Sequence, residues 1–333
     1  MAASGAWTQI EAAAPQPRSS RSPSADAGAT PDPSARGAGR GVSARLRRHG
    51  RPILGALDGG GVALRRMAGP AILGTAVFVV PVMAINLLVT RAAFDHFETL
   101  DGNVISAAQL FTGIDAATGV ETLVTYLSLI ATSLSVSLAG AYLALLLVRR
   151  SLGQPDDPLR CLRSVLRRLP VLVLGWALAH SWMLLADLIA ARASLSDLAP
   201  TVTFSAPLVV WLVGLTALVS PVIVSERLGP WRGVRRALQL ARARGGAVFG
   251  FSCICVLLGG GLRLSIAALP RLIEETGLIG FGSSGWLAEG LAAQIAQLIV
   301  VPFIGLSTAA LYLQVRMDAE GLDLVLEAER AFA

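Results

Sequence analysis

The chain contains no lysine, so all 28 of its basic side chains are arginine. Cysteine, histidine and tyrosine occur three times each, and only 15% of the residues are charged while 54% are hydrophobic. Each shortage excludes something. Cys161, Cys253 and Cys255 cannot build a disulfide framework. The C-x-C spacing of the last two, inside an apolar helix, points them to nearly opposite faces, where they cannot clasp one metal ion. They read as buried, apolar-behaving thiols. His49, His96 and His180 are too few and too scattered for the clustered acid-base and metal-binding groups of hydrolytic enzymes. No Ser-His-Asp, Cys-His or metal-ligand spacing has all its members present, so no catalytic residue, metal or cofactor is expected.

The scarcity of charge excludes water as the main solvent. Soluble domains carry about one quarter charged residues, whereas this chain has a mean hydropathy of +0.63. Apolar runs of about 18 residues or more read as membrane spans, because a helix rising 1.5 Å per residue needs roughly 20 to cross the hydrocarbon. Six such runs are legible: Ala71–Thr90, Leu123–Val148, Pro170–Ala191, Ala206–Val224, Ala247–Leu262 and Leu291–Leu313. The fifth is interrupted by Arg263, and Leu264–Leu269 extends it if that arginine snorkels or faces the bundle. The fold class expected is all-α: a polytopic membrane helix bundle of six spans occupying residues 51–315. Residues 1–50, rich in Ala, Pro, Ser, Gly and Arg, read as a disordered tail. No apolar stretch follows the start, so that tail does not read as a signal peptide. Residues 316–333 read as a short C-terminal tail.

A net charge of +6 and a pI near 10.2 invite a nucleic-acid reading. The arginines instead stand in short clusters beside the apolar runs, as in loops that face the cytoplasm and anionic head groups. Arg45, Arg47, Arg48, Arg51, Arg65 and Arg66 precede the first run; Arg149, Arg150, Arg160, Arg163, Arg167 and Arg168 fill the second connection; Arg227, Arg232, Arg235, Arg236, Arg242 and Arg244 fill the fourth. The other connections carry little positive charge. The expectation is a multi-pass protein of a bacterial cytoplasmic membrane with both termini inside. Its partners are the anionic inner-leaflet lipids and, as a further option, another membrane protein; nucleic acid is not expected. Abundant Ala, Gly and Arg without lysine suit a high-GC bacterial source.

The two arginine-rich inner connections resemble each other. Leu152-Gly153 follows the second run as Leu228-Gly229 follows the fourth, and each chain then passes a proline, Pro158 or Pro230, into a helical stretch. Leu159, Leu162, Leu166 and Leu169 recur at helical spacing beside Arg160, Arg163 and Arg167. Val234, Ala237, Leu238 and Ala241 do the same beside Arg232, Arg235, Arg236 and Arg242. Such helices are amphipathic and belong along the inner membrane surface. A weaker relative, Val62–Met67 with Arg65 and Arg66, precedes the first run, so the chain divides into three units of surface helix, outward span and returning span. Convergence under the positive-inside rule produces the same pattern, and both explanations stand at this point.

The stretch Val222-Ile-Val-Ser-Glu226, then Leu228 to Arg242 and Gly250, resembles the inner-loop signature of a bacterial family. That family is the membrane domain associated with glycerophosphoryl diester phosphodiesterases. The ending, Pro302 to Val315, then Arg316 and Glu320-Gly-Leu-Asp-Leu324, is similar to the way the family closes its last span. The resemblance implies a multispan architecture over roughly residues 60–325 and, for some members, a catalytic barrel after it. A (β/α)₈ barrel needs roughly 250 residues; only Asp318–Ala333 follows the sixth run here, so no barrel is expected and no catalytic residue carries over.

Four polar residues inside the runs stand out. His180 and Asp187, seven apart on nearly one face of the third run, suit a proton relay or ion-coupling site; equally, a neutral His180 bonds a neighbouring helix while Asp187 is solvated. Gln294 and Gln297, with Glu289, either line a polar groove or form interhelical hydrogen bonds, which average roughly 0.6 kcal/mol in membranes. The arginines Arg160, Arg163, Arg167, Arg232, Arg235, Arg236 and Arg242 either set topology or contact lipid phosphates, at about 1 kcal/mol each. The function expected is a non-enzymatic scaffold or accessory acting on lipids or partner proteins at the inner leaflet. A transporter or lipid-handling protein is the first alternative and an intramembrane enzyme the second.

Overall fold

The computed structural model describes residues 52–93, 119–154, 157–190 and 210–321, and every regular element among them is helical. In a bilayer each backbone N–H and C=O must be satisfied within the chain, and a helix does this locally. The order is α1 (Pro52–Arg66), α2 (Ala68–Ala93), α3 (Gly119–Ser151), α4 (Pro158–Arg167), α5 (Leu169–Ala190), α6 (Val219–Ser225), α7 (Pro230–Ala243), α8 (Gly245–Glu275), a 3₁₀ turn (Gly282–Ser284) and α9 (Gly285–Glu320). The 1–50 tail, the connections at 94–118 and 191–209, and residues 322–333 lie outside the described residues.

Four segments are long and apolar enough to cross a membrane: Ala68–Val89, Ile130–Ser151, Gly245–Glu275 and Leu287–Glu320. They correspond to the first, second, fifth and sixth apolar runs. The third and fourth runs coincide with shorter apolar helices, Leu169–Trp182 and Val210–Ser225, each adjoining residues outside the described set. Arg263 does not break the fifth run, since α8 continues through it to Glu275. Residues 316–320, expected to begin a tail, instead prolong α9, which closes only at Gly321 in the left-handed conformation (φ 62°).

A short helix precedes a longer, more apolar one three times. α1 ends at Arg66 before α2 begins at Ala68, α4 ends at Arg167 before α5 begins at Leu169, and α7 ends at Ala243 before α8 begins at Gly245. The starts of α4 and α7 follow from local chemistry. Asp157 accepts a hydrogen bond from the Arg160 backbone N–H, and Pro158 and Pro230 stand in the first turn, where no N–H is needed. The apolar stripe of α4 differs from expectation. Cys161 and Val165 face the bundle, while Leu159 and Leu166 are exposed beside the arginines.

α9 is the central helix, 78% buried over its apolar window against 22% for α8, and it packs on α1, α8, α3 and α2. Water gives no driving force between helices in lipid, so close approach by small residues does the work. Gly60 of α1 passes the Ser307 backbone of α9 so closely that an added Cβ would sit 2.7 Å from its N and Cα. Gly74 of α2 leaves the room that the Tyr142 ring fills, and the Tyr142 hydroxyl donates to the Pro70 carbonyl at 2.9 Å. Of the run Gly259–Gly261, only Gly259 sits in a tight helix contact, against Ile304 and Val300. Ile223 of α6 seats its side chain between Gly175 of α5 and Gly233 of α7. α5, α6 and α7 are thereby fastened at one point.

Candidate functional site: an arginine-rich end braced by buried ion pairs

The C-terminal ends of α3, α6 and α9 and the beginnings of α5 and α8 gather at one end of the bundle, where α4 and α7 join them. Six of the seven arginines singled out from sequence are exposed: Arg160, Arg163, Arg167, Arg232, Arg235 and Arg242. Arg160 pairs with Asp157 at 3.2 Å, an exposed contact of little energetic weight. Arg163, Arg167, Arg232, Arg235 and Arg242 have no acidic partner among the described residues. Leu159 (74% exposed) and Trp231 (68%) lie among them, so both helices offer apolar surface beside positive charge. That combination matches the boundary between acyl chains and head groups.

Arg236 is placed differently: it turns inward. Its Nε donates to Glu226 Oε2 at 3.1 Å, and its Nη2 pairs with Glu320. From the other side Arg316 Nε donates to Glu320 Oε2 at 3.0 Å and lies 3.6 Å from Glu226 Oε1. The Tyr312 hydroxyl donates to Glu226 Oε1 at 3.1 Å and accepts from Arg316 Nη1 at 3.2 Å. Two carboxylates and two guanidiniums thus balance in a site where each side chain is only 13–27% exposed. Arg244 adds an outer pair with Asp318 at 3.3 Å. The cluster ties α7 to the foot of α9.

Sequence reading missed this cluster as a site, although Glu226, Arg236, Arg316 and Glu320 all fall within the two stretches that carry the family resemblance. The signal available was an acidic residue ending an apolar run next to an arginine-rich helix. Nothing local indicated that Glu320, 84 positions from Arg236, would meet it.

Among the described side chains, no contact joins His180 to Gln294 or Gln297. His180 is half-buried in α5, its Nδ1 facing the Trp176 carbonyl at 2.9 Å and its ring stacked on Trp176 with centroids 4.9 Å apart. Facing a carbonyl, Nδ1 carries the proton. Trp176 in turn donates to Ser133 of α3 at 3.2 Å. Asp187 belongs to the last part of α5, and its side chain lies outside the described residues. Gln297 is buried on α9 and, with its amide oxygen turned toward α8, accepts from Arg263 Nη1 and Nε at 3.2 Å each. Gln294 is half-buried one turn earlier.

α3 carries a polar seam that its sequence did not announce. Thr132 accepts from Asn86 of α2 at 3.0 Å, Ser133 from Trp176 of α5, and Ser137 bonds Ser220 of α6. The three cysteines are free, with Cys161 and Cys255 buried. Among the described residues, no group of three or more His, Cys, Asp or Glu side chains could hold a metal ion. The chain matches no family model, no curated protein and no solved structure.

Proposed function

We propose that this chain is a six-span protein of a bacterial cytoplasmic membrane, with both ends inside, that acts as a non-enzymatic scaffold or accessory. α4 and α7 hold anionic phosphate head groups, or an acidic partner on the same surface, at the inner leaflet. The observation that carries the reading is the set of five exposed arginines without acidic partners among the described residues, on two helices that also expose Leu159, Leu166 and Trp231. Arginine bias in the connections supports the orientation. The thrice-repeated step from a short helix into a long one supports reading the chain as three units. The meeting of both resemblance-bearing stretches at the Glu226 cluster supports a relationship with the phosphodiesterase-associated membrane domains.

The test is the triple variant Arg163→Gln/Arg167→Gln/Arg235→Gln, compared with the parent by native mass spectrometry in detergent titrated with phosphatidylglycerol. At about 1 kcal/mol per arginine, three removals cost about 3 kcal/mol, on the order of 100-fold in affinity. Unchanged retention of phosphatidylglycerol would overturn the reading.

A second reading, a transport or lipid-handling protein, is favoured by Arg263, whose guanidinium faces Gln297 between two apolar helices. In that case Arg263→Leu abolishes lipid or ion movement in reconstituted vesicles while leaving phosphatidylglycerol retention intact.

A further inference from the structure

Arg263 stands inside the apolar length of α8 and enters no ion pair among the described residues. The carboxylates of α8 itself, Glu274 and Glu275, come only at its end, about 16 Å further along the axis. In α9, Glu289 precedes Gln297 by about 12 Å. A charge at membrane depth is costly, and a residue that carries one there meets a partner or marks a functional site. The partner of Arg263 is neutral: the buried Gln297 amide oxygen accepts from Nη1 and Nε at 3.2 Å each. A guanidinium has five N–H groups. One on Nη1 and two on Nη2 remain, and they meet no acceptor among the described residues. The amide therefore orients the arginine without neutralising it. The edge left over, between Nη1 and Nη2, is the fork that matches the two oxygens of a carboxylate.

The surroundings say where the countercharge comes from. α8 is the least covered of the four segments able to span, and it packs mainly on α9. Gly259 and Ala267, one turn to either side of Arg263, are buried, with Gly259 against Ile304 and Val300 of α9. Directly beside that row Val256, Gly260 and Leu264 are exposed, and a Cβ at Gly260 would meet nothing within 4 Å. At helical spacing these three make one bare strip bordering the arginine, and its small residue lets another helix come close. Depth narrows the choice further. Arg263 lies about 12 Å before Arg271, whose exposed pair with Glu275 marks the polar end of α8. A lipid phosphate stays at such a polar boundary, well short of Arg263. Nor does a second copy of the described segments supply the acid: Ala68–Val89 and Ile130–Ser151 contain no Asp or Glu, and those of α8 and α9 lie away from this depth.

Resting on the accessory role proposed above, we infer that Arg263, oriented by Gln297, and the strip of Val256, Gly260 and Leu264 form a docking site for a membrane-spanning helix of another protein. That helix carries one Glu or Asp at matching depth. Its carboxylate takes the open edge of the guanidinium, and its backbone approaches over Gly260. The site is separate from the exposed arginine belt of α4 and α7, which acts on head groups.

The full chain in phosphatidylcholine vesicles tests this by fluorescence energy transfer to a synthetic spanning helix of Leu and Ala with one Glu about 12 Å from its end. A second helix has Gln in place of that Glu. The parent binds the Glu helix about 10-fold more tightly than the Gln helix. Arg263→Gln loses the preference. Arg263→Lys, which keeps the charge without the fork, retains part of it, and this separates lost charge from lost folding. Equal binding of the two helices by the parent overturns the inference. Energy transfer between two labelled copies of the chain that disappears in Arg263→Gln assigns the arginine to self-association and also overturns it. So does ion movement that needs Arg263 in a parent showing no preference for the Glu helix. The triple variant Arg163→Gln/Arg167→Gln/Arg235→Gln separates this claim from the belt. A retained Glu preference beside unchanged phosphatidylglycerol retention removes the belt and keeps the docking site. Lost phosphatidylglycerol retention in that variant, with no Glu preference in the parent, keeps the belt and removes the docking site.

Discussion

At the scale of single residues, the Glu226, Arg236, Arg316 and Glu320 cluster is the feature whose perturbation has the clearest sign. Removing one member leaves a mostly buried carboxylate or guanidinium in excess, which costs about 3 kcal/mol for a buried pair that keeps some solvent contact. Arg236→Ala and Glu320→Ala are each expected to lower Tm by several degrees and to loosen α7 from α9. The double variant Arg236→Ala/Glu320→Ala leaves Glu226 and Arg316 paired at 3.6 Å and is expected to cost less than the sum of its parts. A double-mutant cycle by thermal unfolding in detergent checks this, and strict additivity would contradict a coupled network. This cluster was the part of the site least legible in sequence. Arg236 lies in the same helical basic pattern as Arg235 and Arg232, and only tertiary packing turns it inward while those two stay exposed. Arg263 gives the complementary lesson. A charge in an apolar run reads as an interruption, but the helix continues through it to Glu275, with the guanidinium facing the buried Gln297 amide of α9.

At the scale of elements, α1 is the clearest departure from what periodicity alone conveys. Three consecutive glycines, Gly59–Gly61, argue against a helix on propensity. The helix forms nonetheless, because Gly55, Ala56, Gly60 and Ala63 make a smooth face that packs on α9, and in proteins packing outweighs propensity. The neighbours Gly60 and Gly61 are therefore expected to respond oppositely to alanine. At Gly60 a Cβ meets the Ser307 backbone, which cannot move aside, so Gly60→Ala destabilises and exposes α1 to protease. At Gly61 the nearest atom is Phe303 Cε2 at 3.9 Å, so Gly61→Ala stabilises by up to about 1 kcal/mol through helix propensity. Limited proteolysis and melting of the two variants side by side test the difference, and equal responses would show that α1 does not cross α9 as described. In α4 the periodicity was sufficient to give the helix and its arginines but not its buried face. Leucines at helical spacing suit the acyl boundary as well as a protein core, and Cys161 and Val165 took the core side.

At the scale of the whole molecule, the four helices long and apolar enough to cross a membrane were legible because a long apolar run is what bilayer thickness demands of a spanning helix. Helix termini were legible where capping chemistry is local, as at Asp157 and Pro158. The polar seam of α3 was not, because Ser and Thr in an apolar run declare no partner until Asn86, Trp176 and Ser220 are brought beside them. The central claim is that α4, α7 and the end of α9 share one face and that this face looks into the cell. Its most direct test is alkaline phosphatase fused after Gly153, Gly229 and Gly321, expressed in a bacterial cytoplasmic membrane. The account predicts that all three fusions are inactive, since the enzyme folds only outside; activity from any one of them would contradict it.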